Sequence, residues 1–201
     1  MFEQGVELYV KGIAMDDSTK VLYREILERY SKVIWTHEIH LCEARIRLKK
    51  NKRRNTWLTV LSVLVSAAAI TNIFKWLPDE IILPLLALLS LTLTFFTAKY
   101  KTDNLGKTAA ENRQYAAIIH NMRNRYAGLL SEIKAGVLSK EQIVSRRESL
   151  ENEENIIYSG IVPVTSPEAV AMACKTLKND QVATTTDDEI SLIVSPNLRI
   201  D

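Results

Sequence analysis

The chain has 201 residues, 47% of them hydrophobic and 25% charged, with a formal net charge of +2. That length suits one sizeable core, or a small membrane module with an attached domain. Two cysteines exclude a disulfide framework and suit a reducing compartment, while only six glycines and five prolines point to a mostly α chain.

Charge is unevenly spread. Glu43 to Arg54 carries seven Lys/Arg against one acid, whereas Asp180 to Asp201 carries five acids against Arg199 alone. The first fifteen residues, MFEQGVELYVKGIAM, have neither a basic n-region nor an apolar h-region, so no export signal is expected there. Asp16-Asp17-Ser18 then offers capping residues for a helix starting near Thr19. Leu27, Tyr30, Ile34, His37, Leu41, Ala44 and Leu48 recur at alternating +3 and +4, a heptad-like stripe.

That helix leads to Lys49, Lys50, Lys52, Arg53 and Arg54, and then to twenty uncharged residues from Asn55 to Phe74. As a helix this run rises about 30 Å, the hydrocarbon thickness of a bilayer. Lys75-Trp76-Leu77-Pro78-Asp79-Glu80 interrupts it, and Ile81 to Ala98 adds eighteen more uncharged residues before Lys99 and Lys101. Trp57, Trp76 and Tyr100 lie near the span ends, where amphipathic rings prefer the headgroup zone. A soluble bundle would need both runs buried nearly all round, and neither run shows the charged face of a surface helix. A cleaved signal does not fit a run that starts so far into the chain and is followed by a second. The expectation is a two-span hairpin at 55–74 and 81–98, joined by an extracytoplasmic turn at 75–80. By the positive-inside bias of the flanking lysines and arginines, both termini face the cytoplasm.

Each span carries a stripe of small and hydroxyl residues. Thr59, Ser62, Ser66, Ala69 and Asn72 fall close to one helical face of the first, and Ala87, Ser90, Thr94 and Thr97 repeat a 3-4-3 spacing in the second. Such stripes let membrane helices approach closely and exchange hydrogen bonds. They either close the hairpin on itself or on a neighbouring subunit, or line a water-filled path in an oligomer; the spacing alone leaves both open. No charged residue lies within either span, which argues against an ion-pumping relay or charged filter. Pro84 is expected in the first turn of the second span, where its missing N–H does little harm.

Beyond the spans, Leu105, Thr108, Asn112, Tyr115, Ile119, Met122, Tyr126, Leu129 and Ile133 repeat the heptad-like stripe. One stripe runs toward the membrane and the other away, predicting an antiparallel cytoplasmic stalk whose helices continue directly into the spans. Gly136 ends the second stalk helix. Ser139-Lys140-Glu141-Gln142 is a capping-box pattern opening a helix to about Tyr158, and Ser166-Pro167-Glu168 opens a third to about Leu177. The tail 179–201 is Thr- and Asp-rich at first. It ends in EISLIVSPNLRI, a short β-prone run suited to docking on a partner.

Chemistry-bearing motifs are scarce. His37-Glu38-Ile39-His40 is one residue short of the zinc-protease HExxH, so the two histidines miss a shared catalytic face. Cys42 adds no ligand spacing, and neither a phosphate-cradling glycine loop nor a nucleophile–base set is present. No catalytic residue, cofactor or metal is expected. Arg113, Arg123, Arg125, Arg146 and Arg147, with Tyr115 and Tyr126, form a candidate surface for RNA, a nucleotide or anionic lipid. The basic residues Lys49 to Arg54, with Lys99 and Lys101, are expected to meet anionic headgroups and fix topology.

The order of parts is a cytoplasmic helix, a basic block, a tight two-span hairpin, a long helix and a short helical cap. Residues 115 to 177, from YAAIIHNMRNRYAGLLSEIKAG to IVPVTSPEAVAMACKTL, carry the closest likeness. The aromatic/leucine spacing before "SEIKAG" and the "IVPVTSPEAVAMA" entry to the last helix resemble a subfamily of the SLATT group. These are two-transmembrane effector modules of bacterial antiphage systems, and the likeness covers roughly residues 18 to 178. The resemblance implies an all-α, oligomeric inner-membrane effector that disrupts the membrane when its cytoplasmic part is triggered. It also implies a partner encoded nearby, a nucleotide-signal synthase or a reverse transcriptase. A different class of function is a non-conducting membrane scaffold for a nucleic-acid enzyme.

Overall fold

The computed structural model describes residues 16–73 and 78–179. Among them the chain is all-α: α1 (Asp17–Ile73), α2 (Asp79–Thr102), α3 (Leu105–Lys134), α4 (Lys140–Ser159) and α5 (Pro167–Asn179). Residues 75–77 of the expected turn, the first fifteen residues and the docking segment in the tail lie outside the described residues, while Asp79 and Glu80, expected in the turn, already belong to α2. The fold divides into two compact units. One contains the chain up to Cys42 and from Asn112 onward; the other is Glu43–Glu111.

Local chemistry sets the helix ends. Asp16 caps α1, its carboxylate accepting from the Thr19 N–H at 3.2 Å and from the Ser18 hydroxyl. Those bonds, Ser18 first, hold the exposed Asp16 carboxyl down at about 2. Gly136, at φ 66°, closes α3 in a Schellman turn, with the Gly136 N–H on the Ile133 carbonyl and the Val137 N–H on that of Glu132. Ser139 and Gln142 form the predicted reciprocal capping box at the start of α4. The Ser166 hydroxyl accepts from the Ala169 N–H at 3.3 Å before α5.

In the first unit, contact pairs give the helix directions. His40 meets Asn112 and Tyr115 while His37 meets His120, so α1 and α3 run antiparallel. Arg125–Glu153 and Arg146–Glu132 make α3 and α4 antiparallel. Glu25–Arg147, Arg29–Glu151 and Thr36–Tyr158 keep a constant offset, so α4 runs parallel to α1. The core combines Tyr23, Ile26, Tyr30, Val33 and Ile34 of α1 with the α3 stripe from Tyr115 to Ile133 and with Ile143 and Leu150 of α4. On α1 the buried row therefore includes Tyr23, Ile26, Val33 and His40, beside the expected Tyr30, Ile34 and Ala44. The cause is a second partner: α1 faces both α3 and α4, so a two-helix stripe is too narrow for it. Leu48, placed on the predicted stripe, is exposed.

In the second unit the hairpin closes antiparallel. Arg54 lies over the Tyr100 ring, and Gly106 approaches the Asn51 side chain. Two expectations are corrected here. α1 runs unbroken into its span, but the second span does not run straight into α3, because Asp103 and Asn104 separate α2 from α3. Asn104 takes φ 27°, a left-handed conformation that asparagine tolerates better than branched residues. Pro84 lies past the first turn, since α2 begins at Asp79. Its ring therefore leaves the Glu80 carbonyl without its helical donor, close to the acidic end of the helix.

Candidate functional site: the span hairpin and its basic mouth

Two helical segments are long and apolar enough to cross a membrane, and only 6% of the most apolar 18-residue window of each is buried. A core helix of a soluble bundle would be mostly covered. These faces instead present Val60, Val63, Leu64, Ile70, Leu85, Leu88, Leu91 and Phe95 outward, an apolar surface far larger than water-exposed proteins carry.

The hairpin interface is a row of larger residues. Ala68 of α1 and Ile82 of α2 are buried, and Leu58, Leu61 and Val65 on one helix and Leu86, Leu89, Leu93 and Phe96 on the other are half-buried. The small-residue stripes lie mostly elsewhere. Thr59, Ser62, Ser66, Ala87, Thr94 and Thr97 are exposed, whereas Ala69, Asn72 and Ser90 are half-buried at the edge of the interface. Self-closure of the hairpin therefore uses mainly leucines, and every hydroxyl of the two stripes except that of Ser90 faces outward. Those hydroxyls bond back to their own helices: Thr59 to the Asn55 carbonyl, Ser66 to Ser62, Thr94 to Ser90 and Thr97 to Leu93, at 2.7–3.0 Å. Asn72 differs, because its Oδ1 is buried with no hydrogen-bond partner.

At the basic mouth of the hairpin, Lys49, Lys50, Lys52, Arg53, Lys99 and Lys101 are exposed. Arg54 is half-buried, with its guanidinium 4.8 Å from the Tyr100 ring centroid. Sequence reading assigned Arg54 to topology and Tyr100 to the headgroup zone, and their pairing only appears once the hairpin closes.

Of the five candidate arginines in the first unit, Arg125 and Arg146 line one pocket together with Glu132. Arg125 pairs with Glu153, Arg146 with Glu132, and Arg147 with Glu25 and Glu151, all of them ties between or along helices. Arg113 is exposed and Arg123 half-buried on other turns of α3. Missed from sequence was Glu154, a buried carboxylate that accepts from the Tyr126 hydroxyl at 2.7 Å and pairs with Arg29 at 3.5 Å. Burial first, and then that bond, push the Tyr126 hydroxyl far above its ordinary value. The signal was present: Ile143, Arg147, Leu150, Glu154 and Ile157 form a 4-3-4-3 stripe, so two charges stand on a core-facing row.

The three histidines are packing groups here. The Asn112 Oδ1 has only lone pairs to offer, so the buried His40 donates Nδ1–H to it at 2.7 Å. His37 stacks on His120 with centroids 5.3 Å apart. Among the described residues, no group of three or more His, Cys, Asp or Glu is arranged to hold a metal ion.

No curated protein and no solved structure matches the chain. A family model does match, over residues 22–189, and it spans both apolar helices and all the described residues beyond them. The chain belongs to SMODS and SLOG-associating 2TM effector domain family 4, and is a membrane protein with a two-transmembrane effector architecture.

Proposed function

We propose that the chain is the membrane-acting effector of a bacterial antiphage, abortive-infection system. It has no enzymatic activity of its own, and it oligomerises in the inner membrane to form a pore or otherwise disrupt the bilayer. The family's association with SMODS and SLOG components supports a nucleotide signal as trigger, and a partner such as a reverse transcriptase fills the same role. The basic residues flanking both spans support an orientation with the two termini cytoplasmic.

The observation that carries this reading is the outward placement of the two hydroxyl stripes. A hairpin sealed by its leucines leaves Thr59, Ser62, Ser66, Thr94 and Thr97 free to meet a neighbouring subunit or water. Docking of a trigger is supported by exposed apolar residues on the cytoplasmic unit, among them Ile156, Ile161, Val164 and Met172. A second reading, a non-conducting scaffold, is favoured by the back-bonding of those hydroxyls, which lets them face lipid at little cost.

Ser62→Leu/Ser66→Leu distinguishes the two. Under triggered expression, the parent chain should collapse the membrane potential and admit dye, whereas the double variant at equal membrane abundance should do neither. Full protection with no depolarisation by either chain would favour the scaffold.

A further inference from the structure

The groove between the spans at their cytoplasmic end has two chemically distinct parts. Its walls are Trp57, Leu58, Leu61 and Leu64 of α1 and Thr92 and Phe96 of α2, enclosing a cavity of about 260 Å³. At its mouth Tyr100 holds the Arg54 guanidinium, whose Nε and Nη1 are shut off from solvent and have no hydrogen-bond partner. Buried N–H groups of a cation are destabilising unless something supplies an acceptor. Acidic side chains are absent from the neighbouring positions 49–54 and 99–102, which instead carry seven Lys/Arg.

Position and length narrow what can supply that acceptor. Arg54 is the last charged residue before the first span, so its N–H groups lie at headgroup depth. From Arg54 to Leu64 the helix rises about 15 Å, the depth of one hydrocarbon leaflet. An occupant must therefore present an anionic acceptor at the headgroup level and an aliphatic chain directly beneath it.

We infer that this groove is a site for one anionic phospholipid of the cytoplasmic leaflet. Its phosphate accepts a charge-assisted hydrogen bond from the Arg54 guanidinium. One acyl chain lies along Trp57, Leu61, Leu64 and Phe96, and the surrounding lysines and arginines select net negative charge over a zwitterion. This site requires the hairpin to be in the membrane, but not that the spans conduct.

Trp57 is a native reporter on the groove wall. Full-length Trp35→Phe/Trp76→Phe protein, reconstituted in phosphatidylcholine vesicles, keeps Trp57 as its one tryptophan. Acyl-brominated phosphatidylglycerol should quench it at about one fifth of the mole fraction needed with acyl-brominated phosphatidylcholine. Arg54→Gln should abolish that preference, Arg54→Lys should retain part of it, and Lys49→Gln should change it less than twofold. Equal quenching by both lipids would make the groove a general acyl-chain cleft and overturn the proposal. So would an unchanged preference in Arg54→Gln. Trp57 shielded from both brominated lipids and from aqueous acrylamide would assign the groove to a second copy of the chain, and would equally overturn it.

Discussion

Glu154 joins three helices, and its removal tests how the first unit is held together. The residue is 7% exposed, and it accepts from Tyr126, which is fully buried. Glu154→Ala leaves that phenol without its acceptor, a loss of about 1–3 kcal/mol, and opens a small void besides. Arg29 is less affected. It keeps Glu151 at 3.1 Å, its side chain is 36% exposed, and the lost 3.5 Å contact contributes less than about 1 kcal/mol. The total destabilisation of α4 packing is about 2–4 kcal/mol. Hydrogen exchange of α4 amides, measured on the full chain in detergent, should accelerate roughly thirtyfold or more if opening is governed by that packing. Glu154→Gln keeps an acceptor and should lose about 1 kcal/mol. The double variant Tyr126→Phe/Glu154→Ala should be more stable than the sum of its single changes by about 1–2 kcal/mol. Strict additivity, or α4 exchange within threefold of the parent in Glu154→Ala, would refute the assignment of Glu154 as the inter-helix tie.

Alkaline titration should unfold the first unit through its tyrosines. Burial pushes the Tyr23 and Tyr115 hydroxyls up to about 12, above the ordinary value near 10, so the folded chain holds protons that the unfolded chain releases. The stability they contribute is complete below about pH 10 and is lost as pH rises toward 12, a few kcal/mol in all. Tyrosinate absorbance and helical circular dichroism should change together in that window; tyrosine ionisation complete near pH 10 with helicity intact would contradict it. At the α2–α3 break, Asn104→Val forces a branched side chain into φ 27° and should cost about 1–2 kcal/mol, whereas Asn104→Gly should be nearly neutral. Thermal melting of both variants checks this, and equal losses would show that the conformation at Asn104 is not the constraint.

The spans, the caps and the α3 stripe were legible because each rests on local chemistry. A charge-free run of twenty residues, a Ser-x-x-Gln box and a glycine after a long helix need no tertiary information. What the hairpin packs with was not legible. In Asn55–Phe74 a leucine row and a hydroxyl row both repeat at helical spacing, and lipid removes the polar contrast that marks the buried side of a soluble helix. Only the closed hairpin shows that Leu58, Leu61 and Val65 face α2 while Ser62 and Ser66 do not. The partners of the arginines were illegible for a related reason. A cationic side chain read alone suggests an anionic ligand, yet Arg125, Arg146 and Arg147 find carboxylates supplied by other turns and helices. The width of the α1 core row, too, depends on α4 returning parallel to it, a contact more than a hundred residues away in the chain.

The energetics of the outward stripes bear on how such an effector could stay silent. Thr59, Ser66, Thr94 and Thr97 satisfy their hydroxyl hydrogens within their own helices, so a lone hairpin in lipid leaves few donors stranded. Association would exchange those bonds for interhelical ones, each worth about 0.6–2 kcal/mol, rather than rescue unsatisfied groups. Asn72 is the exception, with a buried unpartnered Oδ1 one residue before the end of α1, close enough to the membrane face for water or a neighbouring chain to supply a donor. On the proposed reading this makes the oligomer only modestly favoured by its spans. A contribution of a few kcal/mol is within what a ligand or partner on the cytoplasmic helices can add or withhold. A hairpin whose stripes carried unsatisfied amides throughout would assemble without any trigger, and would damage its own cell from the moment of insertion.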